Sequence, residues 1–473
     1  MKEIHIKDGP FLKTENKTNS IMNNLLIALI PIVIFSFYKN GIIPYINGKA
    51  NLYQMFLPII MIIISMSVTS LSEYLYAVIV KKESKSLKIH FKTKYSIFPG
   101  LFLALILPLN TPIWILILGA LISSLIGKVV FGGLGSNIFN PALVGRLFII
   151  SIFAITITNN GGYFNNYEVD AISKATPLSN LSAIDSIGTY DALVKPYGNL
   201  WNFFFGTIPG ALGETSAFLC ILGFCYLVYK KALKWRIPIA YIATVFVMTY
   251  IIGTLNDVGI WYPLFQILSG GLFFGAIFMA TDPVTSPTTP IAQLVYGVFL
   301  GILTVIFRFL TSAPEGVLTS ILIMNMFVII LDRLGALSRF GLKKVSILIL
   351  IQFVLVLGLS LYIAEAKNVE VMVDPNFEII SKKEENNKTI YIATQKGYSS
   401  IIKAEVVVIS DKIDSINILE QNDSFYSKIE ESNFLKEFEN KSEVTEIDTI
   451  SGATITSNAI KKLINNVLID YKR

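Results

Sequence analysis

A short run of small and hydroxyl residues near the end of the chain has the composition of a phosphate site. It reads Asp448-Thr-Ile-Ser451-Gly452-Ala453-Thr454, and an apolar stripe with helical spacing follows it. Glycine and alanine let a bulky group approach the backbone, and the N–H groups and dipole of a helix N-terminus favour an anion. The Thr454 hydroxyl could carry a phosphate-linked group there. A plain capped turn is the alternative that this argument leaves open.

Ionisable and amide side chains also interrupt several apolar runs. These residues are Asn110, Asn140, Arg146, Glu214 and Asp282. Ionisable groups inside membrane spans are costly and tend to mark pathways or ligand sites. Glu214, Asp282 and Arg146 are therefore candidates for ion or cofactor contact, and Asn110 and Asn140 complete the predicted ion pathway. Capping of helix ends by Asp or Glu is the alternative.

Metal chemistry has few residues to draw on. Cys220 and Cys225 lie in one apolar run without a third or fourth ligand nearby, and His5 and His90 are the only histidines. Zinc and haem sites depend on such ligands. We predict no metal site in this chain.

The composition separates a membrane part from a polar tail. Of the 473 residues, 53% are apolar and 15% are charged, whereas soluble domains average roughly 45–50% and about 25%. Residues 365–473 carry 19 acidic and 14 basic side chains, while the first 364 residues have a net charge of +11. This pattern excludes a single soluble domain, a disordered chain and a nucleic-acid-binding protein.

Apolar runs long enough to cross a membrane fill the first three quarters of the chain. A spanning helix needs roughly 20 mostly apolar residues, and we count about eleven runs near that length. They lie near 20–38, 53–80, 96–110, 112–132, 141–158, 201–229, 237–254, 262–281, 291–310, 316–333 and 345–364. The predicted fold class is an all-α polytopic membrane protein followed by a small α+β domain.

The predicted divisions follow from these runs. They are an N-terminal arm (1–19), a transmembrane domain (20–344), a last span (345–364) and a tail domain (365–473).

Basic residues predict the orientation of the spans. Lysine and arginine cluster before the first predicted span and after the second, sixth and tenth. Such residues favour the cytoplasmic side of a membrane. The N-terminus is therefore predicted to be cytoplasmic, and loop 159–200 and the tail domain are predicted to lie outside the cytoplasm.

The membrane part contains an internal repeat. GLFLALILPLNTP aligns with GLFFGAIFMATDP, which pairs Gly100 with Gly271 and Pro112 with Pro283. Proline removes a hydrogen bond from a helix, and in lipid the freed groups need other partners. Paired interruptions in two halves indicate broken helices around a central site. Ordinary loop ends at the membrane interface are the alternative.

The tail has the pattern of a small α+β domain. Residues 401–409 and 415–420 predict strands, 412–414 predicts the turn between them, and 430–440 has helical spacing. The last run places apolar residues on one face of an amphipathic helix. Thr456 or Ser457 could cap that helix.

The run that ends at Thr454 resembles a known flavin attachment motif. At that motif a flavin transferase joins FMN to the last threonine through a phosphodiester bond. The motif is typical of the extracytoplasmic G subunit of the Rnf complex and the C subunit of the sodium-pumping NADH:quinone oxidoreductase. A second copy, Asp170-Ala-Ile-Ser173-Lys174-Ala-Thr176, resembles the site of the D subunit, although Lys174 stands where glycine is usual.

The membrane part resembles the D subunit of the Rnf complex over most of residues 10–340. The segments that carry the resemblance are IALIPIV, NIFNPALVGR, GTIPGALGETSA and SGGLFFGAIFMATDPVTSP. The chain is thus similar to a D subunit fused to a G-subunit-like FMN-binding domain. The same D subunit is related to the B subunit of the quinone reductase.

This resemblance implies a function in electron transport. In such complexes electrons pass from ferredoxin or NADH through iron–sulfur centres and flavins, and Na⁺ or H⁺ is driven outward. We expect covalent FMN on Thr454 and Thr176, within motifs that include Asp448, Ser451, Gly452, Ala453, Asp170 and Ser173. A non-covalent riboflavin between the spans is a further cofactor that the resemblance suggests, and the broken repeat around Asn110 and Asp282 is the expected ion or flavin region.

The resemblance also implies partners and a location. Because the sequence has neither a nucleotide-binding G-x-G-x-x-G motif nor a cysteine cluster, the chain is expected to need the A, B, C and E subunits, with a separate G subunit as a further candidate. A flavin transferase, membrane lipid, and Na⁺ or H⁺ are the other expected partners. The expected location is a bacterial cytoplasmic membrane.

Two other functions remain open at this point. A quinone-reducing or extracellular electron-transfer system would use the same flavins with a different donor or acceptor. A solute transporter would also contain inverted repeats and polar breaks, but transport requires no flavin motif.

Overall fold

The chain forms two compact units, 1–368 and 369–473, and each has its own hydrophobic core. The computed structural model describes residues 18–82, 95–161, 176–183, 187–311, 316–337, 343–367, 377–385, 388–396, 400–409, 412–421, 426, 429–430, 432, 434–439, 441 and 454–471.

The first unit consists of helices in its described residues. They are α1 (Thr18–Phe37), α2 (Leu52–Ile79), α3 (Ile97–Leu105), α4 (Ile113–Ser124), α5 (Pro141–Asn159), α6 (Pro177–Ala183), α7 (Tyr190–Leu193), α8 (Leu200–Phe205), α9 (Ala217–Tyr229), α10 (Arg236–Leu255), α11 (Trp261–Leu268), α12 (Leu272–Phe274), α13 (Pro290–Leu310), α14 (Gly316–Leu337) and α15 (Lys343–Ala366). Wider π-helical turns continue α1 over Tyr38–Ile42, α4 over Leu125–Val129 and α12 over Gly275–Met279, and Ile43–Ile46 ends the first of these.

All eleven predicted apolar runs coincide with helix, but they are not eleven equal spans. Seven helices in the described residues are long and apolar enough to cross a membrane, and the bent pair α11 and α12 would make eight. The helices at 113–129 and Ala217–Tyr229 are shorter, and α3 has nine residues. The sequence shows the apolar runs but not where the polar breaks divide them.

The internal repeat corresponds to two short buried helices. In α3, Leu103, Ala104 and Leu105 have no exposed surface, and in α12 the same holds for Leu272 and Phe274. A helix that is apolar on every side belongs in a protein interior. The two helices meet where the Phe102 and Phe274 rings pack edge to face with centroids 6.2 Å apart.

The second unit pairs one sheet with one helix. Strands β1 (Phe377–Glu385), β2 (Lys388–Lys396), β3 (Ile401–Ile409) and β4 (Lys412–Glu420) form an antiparallel sheet in the order β1-β2-β3-β4. Helix α16 (Thr454–Tyr471) packs on β2 and β3. Its predicted apolar face is confirmed, since Ile460, Leu463, Ile464, Val467 and Leu468 are buried.

Two details of the predicted tail were wrong. Lys412–Asp414 is not a turn, because β4 begins at Lys412 and pairs there with Ile409. Thr456 and Ser457 do not cap α16, since it begins at Thr454 and buries both residues. The helical spacing of 430–440 corresponds to a tight 3₁₀ helix, Phe434–Phe438, in its described part. Strands β1 and β2 were not predicted.

Candidate functional site

Thr176 precedes the short helix α6 and caps it. The Thr176 backbone N–H donates to Ser179 Oγ at 3.2 Å, and the Ser179 backbone N–H donates to Thr176 Oγ1 at 3.2 Å. The two hydroxyl oxygens lie 2.5 Å apart. This reciprocal arrangement is a capping box. The hydroxyl predicted to carry a flavin is thus engaged at a helix N-terminus.

Thr176 borders a narrow pocket that also contains a predicted ion-pathway residue. Thr176 itself is only 5% exposed. The pocket, here named the Thr176 pocket, is lined among others by Thr176, Leu178, Pro209, Gly210, Glu214 and Gly270. The structure therefore brings Thr176 and Glu214 together, although they are 38 positions apart in the sequence.

A buried ion pair holds the Glu214 carboxylate. Arg146 Nη1 lies 3.2 Å from Glu214 Oε1, and the two side chains are 4% and 6% exposed. A side-chain carbon added at Gly271 would lie 2.6 Å from Glu214 Cδ. Because glycine stands there, the carboxylate fits against the start of α12.

The loop 206–216 supplies hydrogen bonds to the end of α3. The Gly213 N–H donates to the Leu105 carbonyl at 2.7 Å, and the Leu212 N–H donates to the Leu107 carbonyl at 3.2 Å. Carbonyls freed at a broken helix need such partners in a membrane protein. One polar loop thus stabilises the end of α3 and places Glu214 at the start of α12.

A second pocket joins the beginning of α3 to the polar segment after α12. This Asp282 pocket is lined among others by Phe98, Phe102, Lys128, Asn137, Asn140 and Asp282. The Asp282 pocket thus lies where α3 begins and α12 ends, while the Thr176 pocket lies at the start of α12, beside the loop that bonds to the end of α3. The two helices run antiparallel, which places the two predicted polar breaks at opposite ends of the pair.

Asp282 and Asn140 both accept local hydrogen bonds in this pocket. Asp282 Oδ2 accepts hydrogen bonds from the Thr285 N–H at 3.1 Å and the Thr285 hydroxyl at 2.9 Å. Asn140 Oδ1 accepts from the Ala142 N–H at 3.1 Å at the start of α5. Asn140 thus caps α5, whereas Asp282 accepts hydrogen bonds within the turn that follows it.

The segment after Asp282 contacts a basic loop. Lys234 Nζ donates to the Ser286 carbonyl at 3.0 Å and to the Ser286 hydroxyl at 2.8 Å. Burial lowers the pKa of the Lys234 ammonium, and the carboxylates of Asp282 and Asp332 oppose that shift. The loop between α9 and α10 therefore lies at the Asp282 end of the unit.

Asn110 is separate from the other predicted pathway residues. Its side-chain nitrogen lies 3.0 Å from where a side-chain carbon of Gly161 would stand. It is in the lining of neither pocket described above. Asn110 therefore lies outside the lining of the pocket that contains Asp282.

The flavin motif of the tail lies mostly outside the described residues. Thr454 is the first residue of α16, whereas Asp448, Ser451, Gly452 and Ala453 are not among the described residues. Asp170 and Ser173 of the other motif are also outside them. Within the part of the chain that the structure describes, no group of three His, Cys, Asp or Glu side chains could hold a metal ion.

Comparison with known protein families gives two matches that together cover most of the chain. Residues 5–341 match the model of the NQR2, RnfD, RnfE family. This chain belongs to the NQR2, RnfD, RnfE family. Residues 397–469 match the FMN-binding domain, so the second unit of this family member is an FMN-binding domain.

Relatives of this family member include the D subunits of two similar complexes. The chain is 32% identical over 346 residues to the D subunit of the proton-translocating ferredoxin:NAD(+) oxidoreductase complex of Clostridium ljungdahlii, covering 72% of this chain and 96% of the relative. It is 31% identical to the D subunit of the Na(+)-translocating ferredoxin:NAD(+) oxidoreductase complex of Acetobacterium woodii, covering 72% and 97%.

A third relative is named for a different reaction, the reduction of quinone by NADH. The chain is 34% identical over 237 residues to the B subunit of the Na(+)-translocating NADH-quinone reductase of Chromohalobacter salexigens, covering 49% of this chain and 55% of that protein. The family thus includes proteins named for ferredoxin:NAD⁺ and for NADH–quinone reactions.

Two buried charged sites of this family member were missed in the sequence analysis. Lys128 Nζ lies 2.8 Å from Glu73 Oε2, with side chains 2% and 5% exposed. Arg308 Nη1 donates to Gln266 Oε1 at 3.1 Å, and Nη2 donates to the Ser269 carbonyl at 3.2 Å. The second bond satisfies a carbonyl at the C-terminal end of α11. A charged residue inside an apolar run was the available signal in each case.

Proposed function

We propose that this chain is the D subunit of an ion-translocating ferredoxin:NAD⁺ oxidoreductase (Rnf) complex, fused to a G-subunit-like FMN-binding domain. The observation that carries the proposal is the pair of matches on one chain. Residues 5–341 match the family model, relatives named as the D subunit of such complexes align over nearly their whole length, and an FMN-binding domain follows. The chain acts as one component of a translocase and is not complete alone.

Covalent FMN on Thr454 is the first part of the proposed electron relay. Because α16 begins at Thr454, the first backbone N–H groups of the helix have no partner within it and can receive a phosphate. Asp448, Ser451, Gly452 and Ala453 would complete the site that the transferase recognises. The isoalloxazine ring supplies the redox chemistry, while the protein supplies position and electrostatics.

Covalent FMN on Thr176 is the second part of the proposed electron relay. Gly210 and Gly270 line the same pocket as Thr176, and glycine lets a bulky group approach the backbone. Asp170 and Ser173 would belong to the recognition motif. The Thr176 hydroxyl is hydrogen-bonded to Ser179 in the structure, so attachment requires that bond to be broken.

The polar groups at the two ends of the short helices are the proposed ion pathway. Glu214 stands at the Thr176 end, and Asp282 and Asn140 stand at the other. Asn110 lies apart from both and would contribute along the route rather than in either pocket. Carboxylate and amide oxygens suit Na⁺, and carboxylates suit H⁺ as well.

The Asp282 pocket is the proposed position of a non-covalent riboflavin. Aromatic rings of Phe98 and Phe102 line one part of it, and the amides of Asn137 and Asn140 line another. An isoalloxazine ring needs both an apolar surface and hydrogen-bonding edges, which is the usual composition of a cofactor pocket.

The orientation follows from the basic loops. The loop with Lys230, Lys231 and Lys234 lies at the Asp282 end of the first unit, and positive loops favour the cytoplasm. We therefore assign the N-terminus and the Asp282 pocket to the cytoplasmic side of a bacterial cytoplasmic membrane. The Thr176 pocket and the FMN-binding domain would then be extracytoplasmic.

Partners must supply the rest of the reaction. The chain has no cysteine cluster for iron–sulfur centres and no nucleotide-binding motif. The proposed partners are the A, B, C and E subunits of the complex, a separate G subunit where one exists, and a flavin transferase.

A test of this function is ferredoxin-dependent NAD⁺ reduction by membranes with and without the chain. Loss of the activity on deletion, and its return on complementation, is the expected result. Unchanged activity would favour the second candidate, a quinone-reducing or extracellular electron-transfer system, which the relative from the NADH-quinone reductase suggests.

A gel experiment tests the flavin sites separately. The wild-type chain should fluoresce in a denaturing gel after boiling. Thr454→Ala should remove part of the signal, and the double variant with Thr176→Ala should remove all of it. A signal that persists in the double variant would assign the flavin to another residue.

A further inference from the structure

We propose that Ser179 is a positioning residue that controls when the Thr176 hydroxyl can be modified. The proposal rests on the proposed function, in which Thr176 carries covalent FMN. In the structure the Thr176 hydroxyl is held by Ser179 and lies below the surface. The helix α6 must therefore undock before a flavin transferase can use this hydroxyl.

The chemistry of attachment requires an accessible oxygen. Thr176 Oγ1 would attack the flavin-side phosphorus of a flavin dinucleotide, forming an O–P bond. The phosphoanhydride bond would break, the nucleoside monophosphate would leave, and the hydroxyl proton would pass to a base of the transferase. No electrons are exchanged, so no oxidant is needed.

The capping box occupies that oxygen from two sides. Thr176 Oγ1 accepts from the Ser179 N–H at 3.2 Å and shares a hydrogen between hydroxyls with Ser179 Oγ at 2.5 Å. Ser179 Oγ in turn accepts from the Thr176 N–H. An attack on phosphorus needs a free lone pair and a departing proton. The Ser179 N–H occupies one lone pair of Thr176 Oγ1, and the contact between the two hydroxyls engages either its proton or its second lone pair.

Packing of α6 closes the remaining approach. Leu178 and Leu181 are 1% and 4% exposed, and Thr176 is 5% exposed. A side-chain carbon at Gly270 would lie 2.7 Å from Leu178 Cδ1. Leu178 therefore anchors α6 on the turn at Gly270, and the transferase cannot surround Thr176 while this contact persists.

The consequence is an order of events in maturation. FMN is attached to Thr176 before α6 docks, or during transient undocking, and Ser179 sets how often the hydroxyl is released. Loss of an N-cap partner weakens a helix start by roughly 1 kcal/mol, which is about a five-fold change in the released population.

The test measures the rate of modification of the full chain in detergent. The chain is produced without a transferase in a Thr454→Ala background, so that Thr176 is the one expected acceptor. Purified transferase and flavin dinucleotide are then added, and flavin fluorescence in denaturing gels is followed with time. Ser179→Ala should raise the initial rate about five-fold with the same end point, and Ser179→Thr should restore the slow rate.

Two further variants keep the result interpretable. Leu178→Ala weakens the docking of α6 without touching either hydroxyl, and it should also speed modification. Thr176→Ala is the blank. Equal or slower rates for both Ser179→Ala and Leu178→Ala would overturn the role of Ser179 and of undocking.

Failure of the underlying function has a different signature. If Thr176 stays unlabelled in every variant, including chains made in cells that contain the transferase, then Thr176 is not a flavin site. In that case the proposed attachment falls, and the role of Ser179 falls with it.

Discussion

Arg146 and Glu214 form a close buried ion pair beside the Thr176 pocket. Removing one partner leaves the other charge buried without its opposite charge, which costs about 3–5 kcal/mol. We expect Arg146→Gln and Glu214→Gln each to lower the thermal unfolding midpoint of the full chain in detergent. The double variant should unfold closer to the wild type than Arg146→Gln does.

The exposed pair of Asp191 and Lys195 is the matched control for that experiment. Its side chains are 68% and 63% exposed, and its atoms lie 2.8 Å apart. Surface pairs contribute little to stability, so Asp191→Asn should leave the midpoint unchanged. An equal effect of Asp191→Asn and Glu214→Gln would show that burial of the Arg146 pair is not what matters.

Single residues were predictable by type but not by partner. A carboxylate in an apolar run is visible in the sequence, so Glu214 and Asp282 could be selected. That Glu214 contacts Arg146, and that Glu214 lines the same pocket as Thr176, depends on how loop 206–216 folds against α3 and α12. No spacing in the sequence contains that information.

The two short helices α3 and α12 depend on glycine where the chain packs closely. A side-chain carbon at Gly100 would lie 2.4 Å from the Ser65 carbonyl oxygen, and one at Gly271 would lie 2.6 Å from Glu214 Cδ. Overpacking costs about 1–3 kcal/mol. Gly100→Ala and Gly271→Ala should each lower the unfolding midpoint.

Substitution of a third glycine is the control that distinguishes the effect of close packing from the effect of helix propensity. Gly358 lies within α15 and has no neighbouring atom within 4 Å of an added side-chain carbon. Alanine is the better helix former by about 1 kcal/mol, so Gly358→Ala should keep or raise the midpoint. If all three variants behaved alike, close packing at Gly100 and Gly271 would not explain the repeat.

At the scale of elements, apolar runs were predicted well and their interruptions less well. Every predicted run contains helix, and the polar–proline breaks after α3 and α12 are where the repeat alignment indicated. The antiparallel relation of α3 and α12 was not predictable, because it depends on tertiary packing, of which the contact between Phe102 and Phe274 is one part. In the tail, β1 and β2 were not predicted, and in β1 lysine and glutamate dilute the apolar alternation. The terminal helix, in contrast, was predictable from its regular apolar stripe.

The whole chain joins a membrane unit to an FMN-binding domain, and the proposed orientation can be measured. Cysteines are introduced by Lys230→Cys and Asn458→Cys, both at exposed positions, in a background with Cys220→Ala and Cys225→Ala. A membrane-impermeant maleimide should label Asn458→Cys in intact spheroplasts, whereas Lys230→Cys should react only after permeabilisation. The reverse pattern would contradict the assignment made from the basic loops.

The central claim is that two threonines, one in each unit, hold FMN through phosphodiester bonds. Mass spectrometry of the peptides that contain Thr176 and Thr454 tests it most directly, using chain purified from cells that possess the flavin transferase. Each peptide is predicted to carry the added mass of one FMN less one water, and alanine at either position should remove that addition only from its own peptide. Unmodified masses at both positions would contradict the account.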